Sequence, residues 1–334
     1  MKRIISILLI ISIMVVCSSC GGEKVENKPY SNFLTAFDTT VSYTIYDNLT
    51  KSEQEEIRKK IHSTCSKFDY AFDKYTPNSF VTNINRDKVA KAMDDNNKII
   101  KESIKYSKTT NGAFDITVSP LVELWGVNSN HFKVPRNMQI RRLMSKVDYN
   151  QIEVKGNFAY LTNKGSIDLG AIAKGYVADK LAKTLNKMNV KSAILDLGGN
   201  IYAIGSKDGK AFTVGINKPF QKGQLIAKVK VKDKAVVTAG IDQRYKERDG
   251  KIYPHIIDPK TGRPIDNDLN SVTVISKNAT AADALSTGFM VMGLDKGLEL
   301  ANKTNDIEAV FIDKDNKLHL TDGLKMNNNE ITLK

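Results

Sequence analysis

The sequence predicts an α+β fold in which mixed sheets pack against helices. Strand-like and helix-like segments follow one another in an irregular order, which argues against a regular βαβ array. No repeat of fixed period and no low-complexity segment interrupts the 334 residues. Hydrophobic residues make up 41% and charged residues 26%, so the chain can bury a large core. We therefore expect one large domain without a marked internal boundary.

The first elements follow from local pattern. Residues 39–46 alternate β-branched and aromatic side chains, which predicts a strand. Residues 51–72 have helical periodicity behind Ser52, with Glu55 three positions later as a capping box. Residues 96–110 predict a second helix that ends before Asn111-Gly112.

The later elements are predicted in the same way. Residues 148–161 form a hairpin around Gly156-Asn157, and residues 174–188 a third helix. Strands are expected over 193–197, 212–216, 225–231, 236–238 and 271–276, followed by a helix over 280–292. The last forty residues suggest one helix and two strands.

The start of the chain predicts export and a lipid anchor. Lys2 and Arg3 precede an apolar stretch over 4–16 that is too short for a transmembrane span and is typical of a signal peptide. Cys20 has small neighbours on both sides and resembles the lipidated cysteine of bacterial lipoproteins. Cys17 is the alternative residue, and a cleaved signal without lipid is the alternative mechanism. We predict a signal peptide over 1–20, a flexible tether over 21–32 and a folded domain over 33–334 outside the cytoplasm, anchored to the cell membrane.

Charge and cysteine content narrow the partners. There are 50 Lys and Arg against 37 Asp and Glu, for a net charge of +13, which favours anionic ligands or surfaces. The lysines are scattered and do not form basic runs interleaved with aromatic residues, so nucleic-acid binding is not predicted. Cys65 is the one cysteine beyond the predicted signal peptide, so it has no intramolecular disulfide partner and is expected to be buried.

Residues 279–287 carry the clearest metal signal. Asp283 and Thr287 are four apart on a predicted helix, so their oxygens project from one face. A carboxylate and a hydroxyl are hard ligands that suit Mg²⁺ or Ca²⁺ and do not suit zinc. The alternative is an ordinary alanine-rich helix with a capping polar residue.

Three further segments have the composition of a binding site. Residues 166–176 run from a strand through a glycine turn into a helix, where backbone amides and Lys174 would cradle a phosphate; a simple tight connection is the alternative. Residues 111–126 hold Phe114 and Trp125, which are typical core anchors. His255 lies three residues before Asp258, a spacing compatible with a general base, although a solitary histidine is more often structural.

Together, in this order, these segments resemble the ApbE family, the FAD:protein FMN transferases. The resemblance covers nearly the whole chain after residue 33, and its most specific motifs are DLGAIAKGY at 168–176, HIIDP-x-TG-x-P at 255–264 and ADALST at 282–287. GAFD-x-TV-x-PLV-x-LWG at 112–126 and LDLGGN at 195–200 also match. One departure is Asp38, which stands where the family commonly has glycine. The family fold is α+β with a tunnelling-fold-like core.

The resemblance implies the site residues and the reaction. Mg²⁺ would be held by Ala171 (backbone carbonyl), Thr280, Asp283 and Thr287. FAD would be bound by Phe37, Tyr75, Ala113, Phe114, Asp115, Asp168, Lys174 and Ile257. His255, oriented by Asp258, is the candidate base that takes the proton of the acceptor hydroxyl.

The implied activity is Mg²⁺-dependent transfer of the FMN part of FAD to a threonine or serine of another protein, with release of AMP. The acceptor would be an exported or membrane-bound flavoprotein, such as an Rnf- or quinone-reductase-type electron-transport subunit. Two alternatives stay open: a pyrophosphatase that uses water as the acceptor, and a lipoprotein that stores flavin without catalysis. Product analysis would separate them.

Overall fold

The structure is a computed structural model that describes residues 28–221 and 223–334. The predicted signal peptide, with Cys17 and Cys20, lies outside the described residues, as do residues 21–27 of the predicted tether. Within the described ranges, no helix has the length and apolar character needed to span a bilayer.

Eight α-helices are formed by the described residues. They are α1 (Lys51–Phe72), α2 (Phe80–Asp87), α3 (Asp95–Thr109), α4 (Ser119–Trp125), α5 (Asn137–Met144), α6 (Ala173–Lys187), α7 (Ala279–Met292) and α8 (Leu294–Lys303).

Nineteen strands complete the described fold. They are β1 (Tyr30–Ala36), β2 (Thr39–Ile45), β3 (Val89–Lys91), β4 (Ile152–Lys155), β5 (Phe158–Leu161), β6 (Ser192–Leu197), β7 (Asn200–Gly205), β8 (Phe212–Asn217), β9 (Leu225–Val231), β10 (Lys234–Gly240), β11 (Tyr245–Arg248), β12 (Lys251–Pro254), β13 (Ile257–Asp258), β14 (Arg263–Pro264), β15 (Leu269–Ser276), β16 (Ile307–Asp313), β17 (Leu318–Leu320), β18 (Leu324–Asn327) and β19 (Glu330–Leu333).

A large antiparallel sheet organises the molecule, with the strand order β1-β2-β6-β7-β10-β15-β16-β17. Helices α1, α6 and α7 cover one face, and a four-stranded sheet in the order β18-β19-β9-β8 covers the other. Alternate residues of the same strand therefore enter different cores: Leu195 packs toward the helices, whereas Ile194 packs toward the small sheet. Every residue of β15 is buried, because this strand is covered on both faces. The α+β class predicted from sequence is confirmed.

A smaller cluster joins α4 and α5 to the segment that follows β13. Trp125 is 2% exposed, and its indole Nε1 donates to the Gly262 carbonyl over 2.8 Å. A Cβ at Gly262, where φ is +68°, would lie 2.6 Å from the Cγ2 atom of Ile140. The glycine thus permits both the turn and the close approach of the helix. Trp125 and Phe114 are buried core residues, as predicted.

Several boundaries differ from the sequence predictions. Helix α1 is capped by Thr50, whose side chain forms a reciprocal capping box with Glu53, so the prediction of Ser52 and Glu55 was wrong by two residues. Strand β1 begins at Tyr30, before the predicted start of the domain at residue 33. The hairpin around Gly156-Asn157 is confirmed. The last forty residues contain four strands instead of two, because short strands at a sheet edge give weak periodic signals.

Cys65 is fully buried in the core under α1, as predicted. Burial raises the pKa of its thiol to about 12. Cys65 is therefore a protonated, apolar packing residue at neutral pH.

Candidate functional site

Helices α6 and α7 are in contact at Gly175, where the atoms of α7 leave no room for a side chain. A Cβ at Gly175 would lie 2.2 Å from the Ala279 carbonyl oxygen and 2.7 Å from the Asp283 Cβ. At this contact the Gly175 amide donates to Asp283 Oδ2 over 2.8 Å. The glycine of the DLGAIAKGY motif thus brings the start of α6 directly against the carboxylate of the ADALST motif.

This contact leaves backbone groups at the start of α6 without partners. In a regular helix the Gly175 amide would donate to the Ala171 carbonyl, but it donates to Asp283 instead. The Ala171 carbonyl therefore accepts no hydrogen bond from the described residues, and the Lys174 amide finds no acceptor among them. A free carbonyl oxygen attracts a cation, and a free helix-terminal amide attracts an anion.

The side chains on the facing turn of α7 are also available. Asp283 is 5% exposed, and its Oδ1 has no hydrogen-bond partner in residues 28–221 and 223–334. Thr287, one turn later, is half-buried, and its hydroxyl likewise makes no hydrogen bond within those ranges. The predicted face of α7 therefore presents two hard oxygens, and its Asp283 carboxylate is hydrogen-bonded to Gly175, four residues after Ala171.

These donors fit a magnesium ion. The described residues contain no group of three or more His, Cys, Asp and Glu side chains that could hold a metal. Mg²⁺ commonly uses only one or two carboxylates and takes its other ligands from water and substrate phosphates. One carboxylate, one hydroxyl and one backbone carbonyl suit that ion and do not suit zinc or copper.

Thr280, which the resemblance implies as a metal ligand, is hydrogen-bonded to α6. Its hydroxyl donates to Asp179 Oδ2 over 2.6 Å, and its amide donates to the same oxygen over 2.9 Å. The Ala279 amide donates to Asp179 Oδ1 over 2.8 Å. Burial raises the pKa of Asp179, and the hydrogen bonds from Thr280 and Ala279 oppose that rise. Thr280 therefore joins the start of α7 to α6, and its hydroxyl proton is already committed.

Asp168 is the first residue of the DLGAIAKGY motif. It forms an ion pair with Lys74, a residue that no sequence pattern indicated. Lys74 Nζ lies 2.9 Å from Asp168 Oδ2 and 3.6 Å from Glu123 Oε1, and the Lys74 side chain is only 11% exposed. Burial lowers the pKa of Lys74, but the Asp168 carboxylate outweighs that effect and the net pKa is raised. Asp168 Oδ1 accepts from the Gly170 amide over 2.8 Å, which fixes the glycine turn.

Tyr75 stands beside this ion pair with its ring open to solvent. Tyr75 is 74% exposed, and Lys74 Nζ lies 5.2 Å from the centroid of its ring. A tyrosine so exposed, with a cation near its ring, is a suitable platform for a flat aromatic ligand. The only sequence signal for Lys74 was its position next to Tyr75.

Residues 113–115 of the GAFD segment are buried. Ala113 is 5% exposed and Phe114 is 1% exposed, so a ligand would meet mainly their backbone. Asp115 Oδ1 accepts from the Thr117 amide and hydroxyl over 2.8 and 2.6 Å, and its Oδ2 accepts from the Tyr149 amide over 3.0 Å. Burial raises the pKa of Asp115. The Asp168 amide donates to the Ile116 carbonyl over 2.8 Å, which attaches this segment to the DLGAIAKGY motif.

His255 is oriented by a backbone carbonyl. Its Nδ1 lies 3.0 Å from the Arg244 carbonyl oxygen, which also accepts from the His255 amide over 3.0 Å. A carbonyl can only accept, so Nδ1 carries the proton and Nε2 has a free lone pair in the neutral ring. Burial lowers the pKa of His255 to about 4, and the positive charges of Arg244 and Lys174 act in the same direction. The ring is therefore neutral at pH 7.

Asp258 does not orient His255, contrary to the expectation. Its Oδ1 accepts from the Lys260 amide over 2.8 Å and its carbonyl accepts from the Gly262 amide over 2.8 Å, so it shapes the turn after β13. No hydrogen bond joins it to His255 in the part of the chain that the structure describes. Ile257 is 5% exposed and packs in the Trp125 cluster.

Phe37 lies in a strained turn between β1 and β2. Ala36 pairs with Thr39, so Phe37 and Asp38 form a two-residue hairpin loop, and their φ angles are 57° and 54°. Both residues are in the left-handed region, which favours glycine and is unusual for phenylalanine. The Phe37 amide donates to Asp69 Oδ1 over 2.7 Å, which helps α1 to hold the turn. Such strain is commonly kept at functional sites.

The chain is similar in sequence to one family of known proteins. The sequence pattern of the ApbE family matches residues 37–311. The FAD:protein FMN transferase of Treponema pallidum is 28% identical over 337 residues, which cover 95% of this chain and 93% of that protein. The FAD:protein FMN transferase of Haemophilus influenzae is 31% identical over 333 residues, which cover 95% of each chain.

Solved structures have the same fold. The ApbE protein of Thermotoga maritima superposes with a TM-score of 0.82 at 28% identity, over 88% of this chain and 97% of that one. The apo form of the flavinyl transferase ApbE of Pseudomonas stutzeri gives a TM-score of 0.79 at 26% identity, over 88% of this chain and 95% of that one.

Proposed function

The chain belongs to the ApbE family, and from that premise we propose that it is an FAD:protein FMN transferase that uses Mg²⁺ to move the FMN part of FAD onto a serine or threonine of another protein. The observation that carries the proposal is the contact between Gly175 and Asp283, which takes the Gly175 amide away from the Ala171 carbonyl at the start of α6. Within residues 28–221 and 223–334, that carbonyl, Asp283 Oδ1 and the Thr287 hydroxyl one turn later on α7 are unpaired.

The residues at this contact suit a metal-bound diphosphate. The Ala171 carbonyl, Asp283 and Thr287 would hold Mg²⁺, which would neutralise the charge that develops on the diphosphate as its bond breaks. The unpaired Lys174 amide and the positive end of the α6 dipole would bind a phosphate oxygen from the protein side.

The flavin end of FAD is assigned to the more exposed part of the site. Tyr75 would stack on the isoalloxazine ring, since its own ring is open to solvent. Asp168 would accept hydrogen bonds from the ligand while Lys74 balances its charge. The backbone of the Ala113–Asp115 segment would border the ligand, because its side chains are buried.

The proposed step is a phosphoryl transfer. The oxygen of the acceptor hydroxyl attacks the phosphorus of the FMN half, a phosphoester bond forms, the diphosphate bond breaks and AMP leaves. His255 Nε2 takes the hydroxyl proton. The ring is neutral because its pKa is lowered, and the hydrogen bond from Nδ1 to the Arg244 carbonyl leaves the lone pair on Nε2.

The test is a transfer assay with matched variants. The chain from residue 21 onward is mixed with FAD, Mg²⁺ and an acceptor flavoprotein domain, and the acceptor is analysed for in-gel flavin fluorescence and for the mass gain of FMN. Asp283→Asn removes the carboxylate at constant size, and Asp322→Asn changes an exposed carboxylate far along the chain. We expect a labelled acceptor with the wild type and with Asp322→Asn, and none with Asp283→Asn.

Other products would contradict the proposal in distinguishable ways. Free FMN and AMP with an unlabelled acceptor would mean that water is the acceptor and that the enzyme is a pyrophosphatase. Intact, tightly bound FAD without either product would mean flavin storage.

The location and the partner are part of the same proposal. The signal-like residues 1–20 and Cys20 would anchor the enzyme to the cell membrane with its domain facing outward. The acceptor would then be an exported or membrane-bound electron-transport subunit of the Rnf or quinone-reductase type. Metabolic labelling with a palmitate analogue, compared between the wild type, Cys20→Ser and Cys17→Ser, would identify the lipidated cysteine; no label in the wild type would argue against an anchor.

A further inference from the structure

One end of the large sheet carries an excess of lysines. A row of paired or adjacent residues crosses the sheet at this end, from Tyr30 of β1 through Ile45 and Ala193 to Ser276 of β15. The turns and strand ends at this row hold seven lysines, which we call the lysine end: Lys28, Lys191, Lys207, Lys210, Lys232, Lys234 and Lys277. The same segments hold four aspartates: Asp47, Asp208, Asp233 and Asp306. The lysines therefore exceed the carboxylates by three.

The charges of the lysine end are available to a partner. None of the seven ammonium groups forms an ion pair or a hydrogen bond with residues 28–221 and 223–334. Six of the seven side chains are exposed, and Lys234 is half-buried. Two of the aspartates already hold backbone: Asp47 accepts from the Ser192 amide over 2.9 Å, and Asp233 accepts from the Gly205 amide over 2.6 Å. An anionic partner would thus find unpaired cations here.

The opposite end of the sheet has a different charge. The residues next to the ends of β2, β10 and β15 at that end include Asp38, Asp242 and Asp268. The proposed metal residues also lie away from the lysine end. Helix α7 begins two residues after Lys277 and runs back along the sheet, and Thr287 is eight residues from its start, about 12 Å along the helix. The lysines can therefore be changed without touching the proposed site.

The predicted lipid anchor is connected to the chain at the lysine end. Lys28 is the first described residue and belongs to this end, and seven residues separate it from Cys20. Even at full extension, the ten steps from Cys20 to Tyr30 reach about 35 Å. A lipid on Cys20 would therefore keep the lysine end, among all surfaces of the domain, nearest to the headgroups.

We propose that the lysine end docks on the anionic phosphate headgroups of the membrane, an inference that rests on the lipid anchor of the proposed function. Unpaired lysines near an anionic bilayer each add to the attraction, and the excess of lysines at this end gives the domain one preferred side. The seven residues of β2 span about 23 Å, so the opposite end of the sheet stands away from the bilayer by about that length. Docking in this orientation leaves the proposed site open to a protein partner.

The test compares two triple variants of equal net charge. Binding of the chain from residue 21 onward to vesicles of phosphatidylcholine, with and without phosphatidylglycerol, is measured by sedimentation. One variant combines Lys191→Gln, Lys207→Gln and Lys277→Gln. Its matched control combines changes at three exposed lysines that form no ion pair within the described residues: Lys101→Gln, Lys108→Gln and Lys260→Gln. We expect the first variant to bind phosphatidylglycerol vesicles at least tenfold more weakly than the wild type, and the control to bind like the wild type.

Two further measurements address salt and orientation. Added salt should weaken wild-type binding, because it screens exposed charges. A fluorophore attached at Asp208→Cys, in a turn of the lysine end, should respond to the vesicles, whereas one at Asp315→Cys, near the opposite end, should not. Cys65 is fully buried and does not compete for the label.

Each contrary result has its own meaning. Equal binding by the two triple variants, or no binding of phosphatidylglycerol vesicles by the wild type, would overturn the lysine end as the docking face. Transfer of FMN to a soluble acceptor without vesicles should be the same in all three proteins, which also checks their folding. A higher acceptor KM in the first variant alone would assign the lysine end to the acceptor protein and overturn the lipid assignment. Absence of transfer by the wild type would overturn the proposed function and leave the vesicle result standing.

Discussion

The two sides of the candidate site are built in opposite ways. On one side, α6 and α7 touch through Gly175, and Asp283 is 5% exposed. On the other, Tyr75 is 74% exposed and His255 is held by a single carbonyl at the end of an irregular segment. We call them the helix junction and the open side.

The contrast follows from what each side must do. A metal and a diphosphate need donors fixed by packing to a fraction of an ångström, and the helix junction provides that through close backbone contact. A flavin ring and an acceptor protein must both enter and leave, which requires exposed groups on turns and loops. Variants at the helix junction should therefore change stability and metal use together, and variants on the open side should change catalysis or binding at nearly constant stability.

After the loss of transfer predicted for Asp283→Asn, the next largest effect is expected on the open side, at His255. His255→Gln keeps a polar side chain but removes the base, and should lower the transfer rate by about 100-fold or more with FAD affinity unchanged. An unchanged rate would show that metal activation of the hydroxyl is sufficient without a base.

The pH dependence tests the same residue. Because the pKa of His255 is lowered from 6.5 to about 4, the wild-type rate should stay level from pH 8 to pH 6 and fall as pH drops through about 4. Between these two pKa values the folded ring binds fewer protons than the unfolded one, so its contribution to stability also declines as pH falls from 6.5 toward 4. The transfer rate should be measured across this pH range at constant ionic strength. A fall in the rate centred near pH 6.5 would mean that the His255 ring is solvated in the active enzyme.

The next effect concerns the helix junction. In Gly175→Ala the added methyl would lie 2.2 Å from the Ala279 carbonyl oxygen, so the helices must separate. We expect a loss of about 1–3 kcal/mol in the free energy of unfolding, together with a higher Mg²⁺ requirement. Gly297→Ala is the matched control, since its methyl would lie 2.8 Å from the Phe311 ring away from the metal residues. It should lower the melting temperature and leave the Mg²⁺ requirement unchanged.

A smaller change is expected at the hydroxyl of the helix junction. Thr287→Val preserves shape and removes one hard ligand, and should raise the Mg²⁺ concentration for half-maximal rate about tenfold. Thr287→Ser should retain the wild-type value. Equal Mg²⁺ curves for the valine and serine variants would remove Thr287 from the metal site.

The smallest effect should come from Lys74, which connects the two sides. Lys74→Met leaves the Asp168 carboxylate without its partner at 2.9 Å and withdraws the cation near Tyr75. We expect FAD to bind several-fold more weakly, about 1 kcal/mol, with kcat little changed. Lys74→Arg should recover most of the affinity, and Lys59→Met, at a lysine that is 70% exposed, should have no effect. A drop in kcat alone would contradict this role.

The sequence by itself determined much of the secondary structure, element by element. The 39–45 strand, the helices near 51–72 and 280–292, and the Gly156-Asn157 hairpin follow from periodicity and turn chemistry. The shared face of Asp283 and Thr287 follows from helix geometry alone. Local spacing fixes these features because each involves residues a few positions apart.

Only the tertiary structure decided which groups meet. The bond from Gly175 to Asp283 spans 108 positions, and that from Thr280 to Asp179 spans 101. The tertiary structure also pairs Lys74 with Asp168. It places His255 against the Arg244 carbonyl instead of Asp258. These contacts depend on how distant elements pack around the shared core, which no local pattern encodes, and they separate the residues that are free to bind ligands from those that hold the fold together.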